Sequence, residues 1–188
     1  MVAGLSKDDA DVKIENLIAE FYNSDDGFAE LGRYSEAVDL PSPYNELLNH
    51  HEHMTVTVES HHGEKVDVCV HKHHRHQDAD GDWYAREITL RTQSSGKVVQ
   101  YGIVRLNVPT LAPEVWQRIE SQATPLGRVL IEHNVLREVQ LCQLWRIEAG
   151  RSLAEFLETE AGSIVYGRTA LIYCNGEPAI ELLEVVAR

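Results

Sequence analysis

The stretch Ser163–Ala187, "SIVYGRTALIYCNGEPAIELLEVVA", decides the fold class. β-Branched, aromatic and aliphatic residues fill both sides of Asn175-Gly176, the dipeptide that best fits a tight hairpin turn. The same reading extends backward through "EKVDVCVHK", "WYAREITLR", "KVVQYGIVRLNV" and "VLREVQLCQLWRIE". "MTVTVES", from Met54, alternates with period two and reads as a further strand, with "SHHGE" and "QSSGK" as turns. "APEVWQRIESQ", "PLGRVLIEHN" and "RSLAEFLETE" carry helical spacing instead. Strands joined by tight turns pair antiparallel, so the expected class is α+β.

Ahead of this series, Ser6 and Asp9 form a capping-box pattern. Ile14, Leu17, Ile18, Phe21 and Tyr22 then recur at helical spacing, which predicts a helix from about Lys7 to Asn23. Pro43 in "DLPSPYNELLNHH" suits the start of a second, short helix. Residues 1–42 therefore read as an N-terminal helical arm or lid on a domain spanning 43–188.

Thirty acidic residues against seventeen basic ones give a net charge of −13. That field repels nucleic acid and anionic lipid, so neither is an expected partner, and the acidic segment before Pro43 does not read as a winged helix. An anionic ligand would need its own arginines and backbone N–H groups. No apolar run is long enough to span a bilayer, and the acidic start lacks the features of a secretory signal, so the expected location is cytoplasmic. Cys69, Cys142 and Cys174 are widely spaced in apolar runs and read as buried, reduced thiols.

Nine of the ten histidines fall between Asn49 and Gln77. Strand alternation puts His71 and His73 on one face, and His50 or His51 could join His53, but the spacing specifies no third ligand. The expectation is a solvated polar face with no metal. "DADGDW" fails as a calcium loop, because its glycine and acidic positions are misplaced.

Two charges stand out on apolar strand faces. Arg86 shares a face with Tyr84, Ile88 and Leu90, and Glu184 with Ile180, Leu182 and Val186. Charged side chains are rarely buried alone. Either one face is exposed, or the two pair with each other, or a polar ligand lies between them. Pro125 opens a helix whose Leu126 and Gly127 N–H groups lack intrahelical acceptors, an arrangement suited to a carboxylate.

"LLNHHEHMTVTVESHHGEKVDVCV", "WYAREITL", "VPTL", "TPLGRVLIEHNVLREV" and "VYGRTALIYCNGEPAIELLEV" resemble, in order and spacing, the chorismate pyruvate-lyase family over about Pro43–Arg188. The resemblance implies a six-stranded antiparallel sheet with helices on one side, a scaffold also used by ligand-sensing domains of some bacterial repressors. It implies cofactor-free cleavage of chorismate to 4-hydroxybenzoate and pyruvate or, as the alternative, non-catalytic binding of an aromatic or cyclohexadienyl carboxylate. Oligomeric state is left open. Arg86 matches the arginine that holds the ring carboxylate, aided by the amides of Met54 and Leu126, with Gly127 beside them. The acidic residue that meets the 4-hydroxyl falls on Leu183 by count from Pro178. Glu184 fits if the strand carries a bulge, with Glu181 as the fallback. A second family arginine falls on Ile103, for which Arg105 is the substitute.

Overall fold

The structure, a computed structural model, describes residues 11–23, 29–79 and 81–187. One sheet holds seven antiparallel strands: β1 (Gly32–Ala37), β2 (Val66–Asp78), β3 (Gly81–Thr92), β4 (Val98–Asn107), β5 (Arg137–Ala149), β6 (Ile164–Cys174) and β7 (Glu177–Val186). Their spatial order is β1-β5-β6-β7-β4-β3-β2. Two meanders, β2-β3-β4 and β5-β6-β7, are thus fused along a central β4–β7 pair. The α+β antiparallel class expected from the hairpin signals is the one observed. The extra strand, β1, comes from the part of the N-terminal arm that follows the predicted helix and reads as a loop. Its "GRYSEA" is mostly solvent-facing, so no apolar alternation announces it, and it is held by backbone pairing to β5.

The helices are α1 (Ile14–Ala19), α2 (Tyr44–Leu48), α3 (Met54–His62), α4 (Pro113–Glu120), α5 (Leu126–Glu132) and α6 (Arg151–Phe156). Of the helix predicted over Lys7–Asn23, residues 7–10 lie outside the described residues, and the chain turns at Glu20. α2–α5 cover one face of the sheet, where Val104, Ile172 and Leu182 meet Val115, Val129 and Leu130. α1 and α6 cover part of the other, packing Ile14, Leu17 and Leu153 on Tyr101, Ile103 and Leu183.

"MTVTVES" is helix α3, not a strand. Its buried residues are Met54, Thr55 and Val58, a helical stripe, whereas Val56 faces solvent. The alternation of Val and Thr is therefore unrelated to a sheet face. Gly63 takes φ +67° and closes the helix, so "SHHGE" is a left-handed helix terminus instead of a hairpin.

Four register shifts interrupt the sheet, and two of them bear on residues singled out in the sequence. In β2 the register shifts between Val70 and Lys72, so His71 and Lys72 both fall on the α1–α6 side, and His73 falls on the other. In β7, Ile180 pairs with Ile172 while Pro178 pairs with Tyr173, leaving Ala179 as the extra residue. Beyond it, Leu182 and Glu184 face α3–α5, and Glu181, Leu183 and Val185 face the opposite layer. The cysteines divide as well: Cys174 is buried, Cys142 half-buried and Cys69 exposed. Cys69 sits on an edge strand, on the face α1 and α6 only partly cover, so burial of all three thiols does not hold.

Candidate functional site

At the centre of the sheet, beneath the start of α3 and α5, lies a small cavity lined by Arg86, Gln100, Glu184, Met54, Leu126 and Gly127. Ile88, Leu90, Val104, Ile172 and Leu182 complete an apolar wall. About 30 Å³ is open to the centre of a water molecule. Two strands and two helix starts therefore bring together five residues singled out in the sequence. The other two, Arg105 and Glu181, are on the opposite face of the sheet. There Arg105 bonds Glu181 at 3.1 Å, pairs with Glu20 at 2.9 Å and stacks on Trp83 at 4.1 Å. Neither reaches the cavity, because each lies one residue out of phase with the strand positions that line it.

Arg86 is fully buried, and none of its three guanidinium nitrogens has a hydrogen-bond partner in the protein. Burial lowers its pKa, opposed by the nearby Tyr84 hydroxyl, whose contact with the guanidinium falls short of a hydrogen bond of normal geometry. Arginine nonetheless stays protonated. A buried cation without an acceptor is costly, and one that lines a cavity marks a candidate functional site. The Oε1 atom of Gln100 is also buried without a partner.

Glu184 does not pair with Arg86. It accepts a 2.7 Å hydrogen bond from Nε of Arg168, another fully buried arginine. The remaining nitrogens of Arg168 donate to the backbone carbonyls of Leu48, His50 and Glu52 at 3.4, 2.8 and 3.0 Å. Arg168 thus clamps the loop between α2 and α3, just ahead of His53 and Met54, which line the cavity. Arg168 and Gln100 were missed in the sequence, although each is a lone polar residue in an apolar strand, the signal that marked Arg86.

Helix starts supply the remaining polarity. The first N–H groups of α3 and α5 have no intrahelical acceptors. Gly127 lets these two ends approach, since a Cβ there would sit 3.0 Å from Oγ1 of Thr55 and 3.2 Å from Cβ of His53. His53, which precedes α3, lines the cavity and accepts a 2.6 Å bond from Nε of Arg137 at Nε2. Burial first, then Arg137 and Arg168, push its pKa down to about 4. His50 is lowered too, chiefly by burial. Both imidazoles are therefore neutral at pH 7. They serve the loop as hydrogen-bonding groups, and the pairing of His50 or His51 with His53 as metal ligands is not the arrangement found. His71 and His73 are separated onto opposite faces by the β2 bulge.

No protein-family model and no curated protein matches this chain. Among solved structures it resembles the effector domain of PhnF from Mycobacterium smegmatis, with a TM-score of 0.53 and 12% identity over 73% of this chain and 88% of that one. Intact PhnF gives a TM-score of 0.52 and 10% identity over 72% of this chain, which spans only 63% of that longer protein. The gene product SA0254 from Staphylococcus aureus matches with a TM-score of 0.50 and 10% identity, covering 72% of this chain and 87% of that chain. At such identities the likeness is one of fold: this chain shares the α+β antiparallel fold of the PhnF effector domain. No described helix is long and apolar enough to cross a membrane.

Proposed function

We propose that this domain is a non-catalytic binding module for a small anionic molecule, whose acidic group, a carboxylate in the first instance, is held by Arg86. The observation that carries this reading is the fully buried Arg86 guanidinium lining a cavity with no protein acceptor on any nitrogen. A carboxylate fits its planar fork with two parallel hydrogen bonds, and the amides opening α3 and α5 add donors to the same charge. Gln100 is placed to recognise a second polar group. The effector domain of PhnF, built on the same scaffold, makes ligand sensing the natural use of such a pocket.

The present opening accepts little more than a solvent-sized group. Anything as large as an aromatic acid requires the Leu48–Glu52 loop to lift from Arg168. The module is therefore a receptor whose loop position reports occupancy: ligand on Arg86 is read out through the Arg168 clamp.

A lyase acting on chorismate is the second reading, favoured by Glu184 sharing the cavity with Arg86. Against it, Glu184 is already paired with Arg168, and Arg105 lies across the sheet. One experiment separates the two. Untagged protein and Arg86→Met are screened by thermal shift against acetate, benzoate, 4-hydroxybenzoate and phosphate, and incubated with chorismate under chromatographic assay. The binding reading expects stabilisation of the unmodified protein alone and intact chorismate. Release of 4-hydroxybenzoate and pyruvate would establish the lyase, and equal shifts in both proteins would remove Arg86 from either role.

A further inference from the structure

We infer that Glu20, His74 and His76 form a binding site for a divalent transition-metal ion that fastens the N-terminal segment to the edge strand β2. The ligand atoms of these three side chains lie within 4.8 Å of one another. Two imidazoles and one carboxylate, with a fourth position left for water, are a donor set zinc commonly accepts. Tetrahedral zinc with bonds near 2.0–2.1 Å needs ligand atoms about 3.4 Å apart. The approach required is small, and partly exposed imidazoles can make it by side-chain rotation.

The geometry comes from the β2 bulge. Simple alternation separates the histidine run differently, but the extra residue at His71 turns His74 and His76 onto the face covered by α1. Their rings stack at 5.6 Å between centroids. Nε2 of His74 lies 3.1 Å from the Glu20 carboxylate and 3.0 Å from its backbone carbonyl. Phe21 packs edge-on against His74 at 5.2 Å. The other Glu20 oxygen is held at 2.9 Å by Arg105, which Trp83 and Glu181 fix in turn. An oriented carboxylate of this kind is what a metal site needs from its surroundings. Binding shifts the His74 proton to Nδ1, freeing the Nε2 lone pair for the ion.

The site lies across the sheet from Arg86 and does not depend on what the cavity binds. Its consequence is mechanical. Glu20 follows α1, whose residues cover Tyr101 and Ile103, so a bound ion cross-links this cover to β2, the outermost strand among the described residues.

The test uses untagged, metal-stripped protein titrated with Zn²⁺ against a chromophoric chelator, with Co²⁺ absorption as a report of coordination. The unmodified protein is expected to bind one Zn²⁺ per chain with a rise in Tm. His76→Ala should weaken it at least 100-fold and Glu20→Gln at least tenfold, both with unchanged circular dichroism. A His61→Ala, His62→Ala double variant, which alters the histidine pair ending α3 on the other face of the sheet, should bind like the parent. Absence of stoichiometric binding, or affinity unmoved by both His76→Ala and Glu20→Gln, would overturn the site. Loss confined to the His61/His62 variant would show adventitious binding and overturn it equally.

Discussion

Replacing Arg86 with Met should make the ligand-free protein more stable while removing anion binding. Each of the three guanidinium nitrogens is buried without a protein acceptor. An unmet buried polar group costs about 1–3 kcal/mol, and water in the cavity can relieve part of this, so about 1 kcal/mol per nitrogen is the appropriate figure. Removing all three recovers about 3 kcal/mol. Met keeps the apolar stem against Ile88 and Val104 but leaves space where the guanidinium was, at a cost on the order of 1 kcal/mol. The net gain is about 2 kcal/mol. For a chain of this size that corresponds to roughly 4–8 °C in Tm. Urea denaturation and calorimetry of both proteins, in buffer free of carboxylates and phosphate, provide the measurement. A variant that is less stable than the parent by 1 kcal/mol or more would show that Arg86 is satisfied by its own protein and would refute the reasoning.

Three further outcomes are expected. His53 has a folded pKa near 4 against an ordinary value of 6.5, so its neutral form favours folding fully above pH 6.5, and that contribution falls as pH drops towards 4. The loss reaches about 2 kcal/mol at pH 5 and about 3 kcal/mol by pH 4, and a His53→Gln variant should lack this slope in urea titrations. Tyr22→Phe removes a hydroxyl that donates to the fully buried Glu87, which also accepts from Tyr101 at 2.7 Å; stability should fall by about 1.5–3 kcal/mol, and proteolysis should reach the α1 segment first. Gly127→Ala pushes α5 from α3 at Thr55 and should weaken anion binding at least tenfold, measured calorimetrically, while Tm changes by only a few degrees.

Why the sequence discloses some of this and hides the rest is a matter of periodicity. The "CNGE" turn and the long apolar runs are local signals, and they define β3–β7 well. β1 is invisible because its stability comes from pairing with β5, and α3 is misread because Thr and Val suit a strand while burial follows Met54, Thr55 and Val58. Strand parity carries Arg86 to the cavity directly, since no bulge separates it from Ile88 and Leu90. Glu184 follows it by plain alternation with Ile180, Leu182 and Val186; the bulge at Ala179 changes only the count from Pro178, whereas the histidine run is rearranged by the bulge at His71. Bulges are set by tertiary fit, so side-chain alternation cannot place them. Glu87 shows the complementary blindness: it reads as merely facing away from Arg86, yet α1 buries it beneath Tyr22.

The most direct test observes the Arg86 guanidinium itself. In protein labelled with ¹⁵N-arginine, the Nε–H signal of Arg86, assigned by its absence in Arg86→Met, is followed as acetate, 4-hydroxybenzoate and phosphate are added. At least one anion should shift that signal in a saturable manner, with the paired Arg168 responding only where the Leu48–Glu52 loop is lifted. An Arg86 signal that none of the three moves, at concentrations well above physiological, would contradict the claim that this buried cation is the domain's ligand anchor.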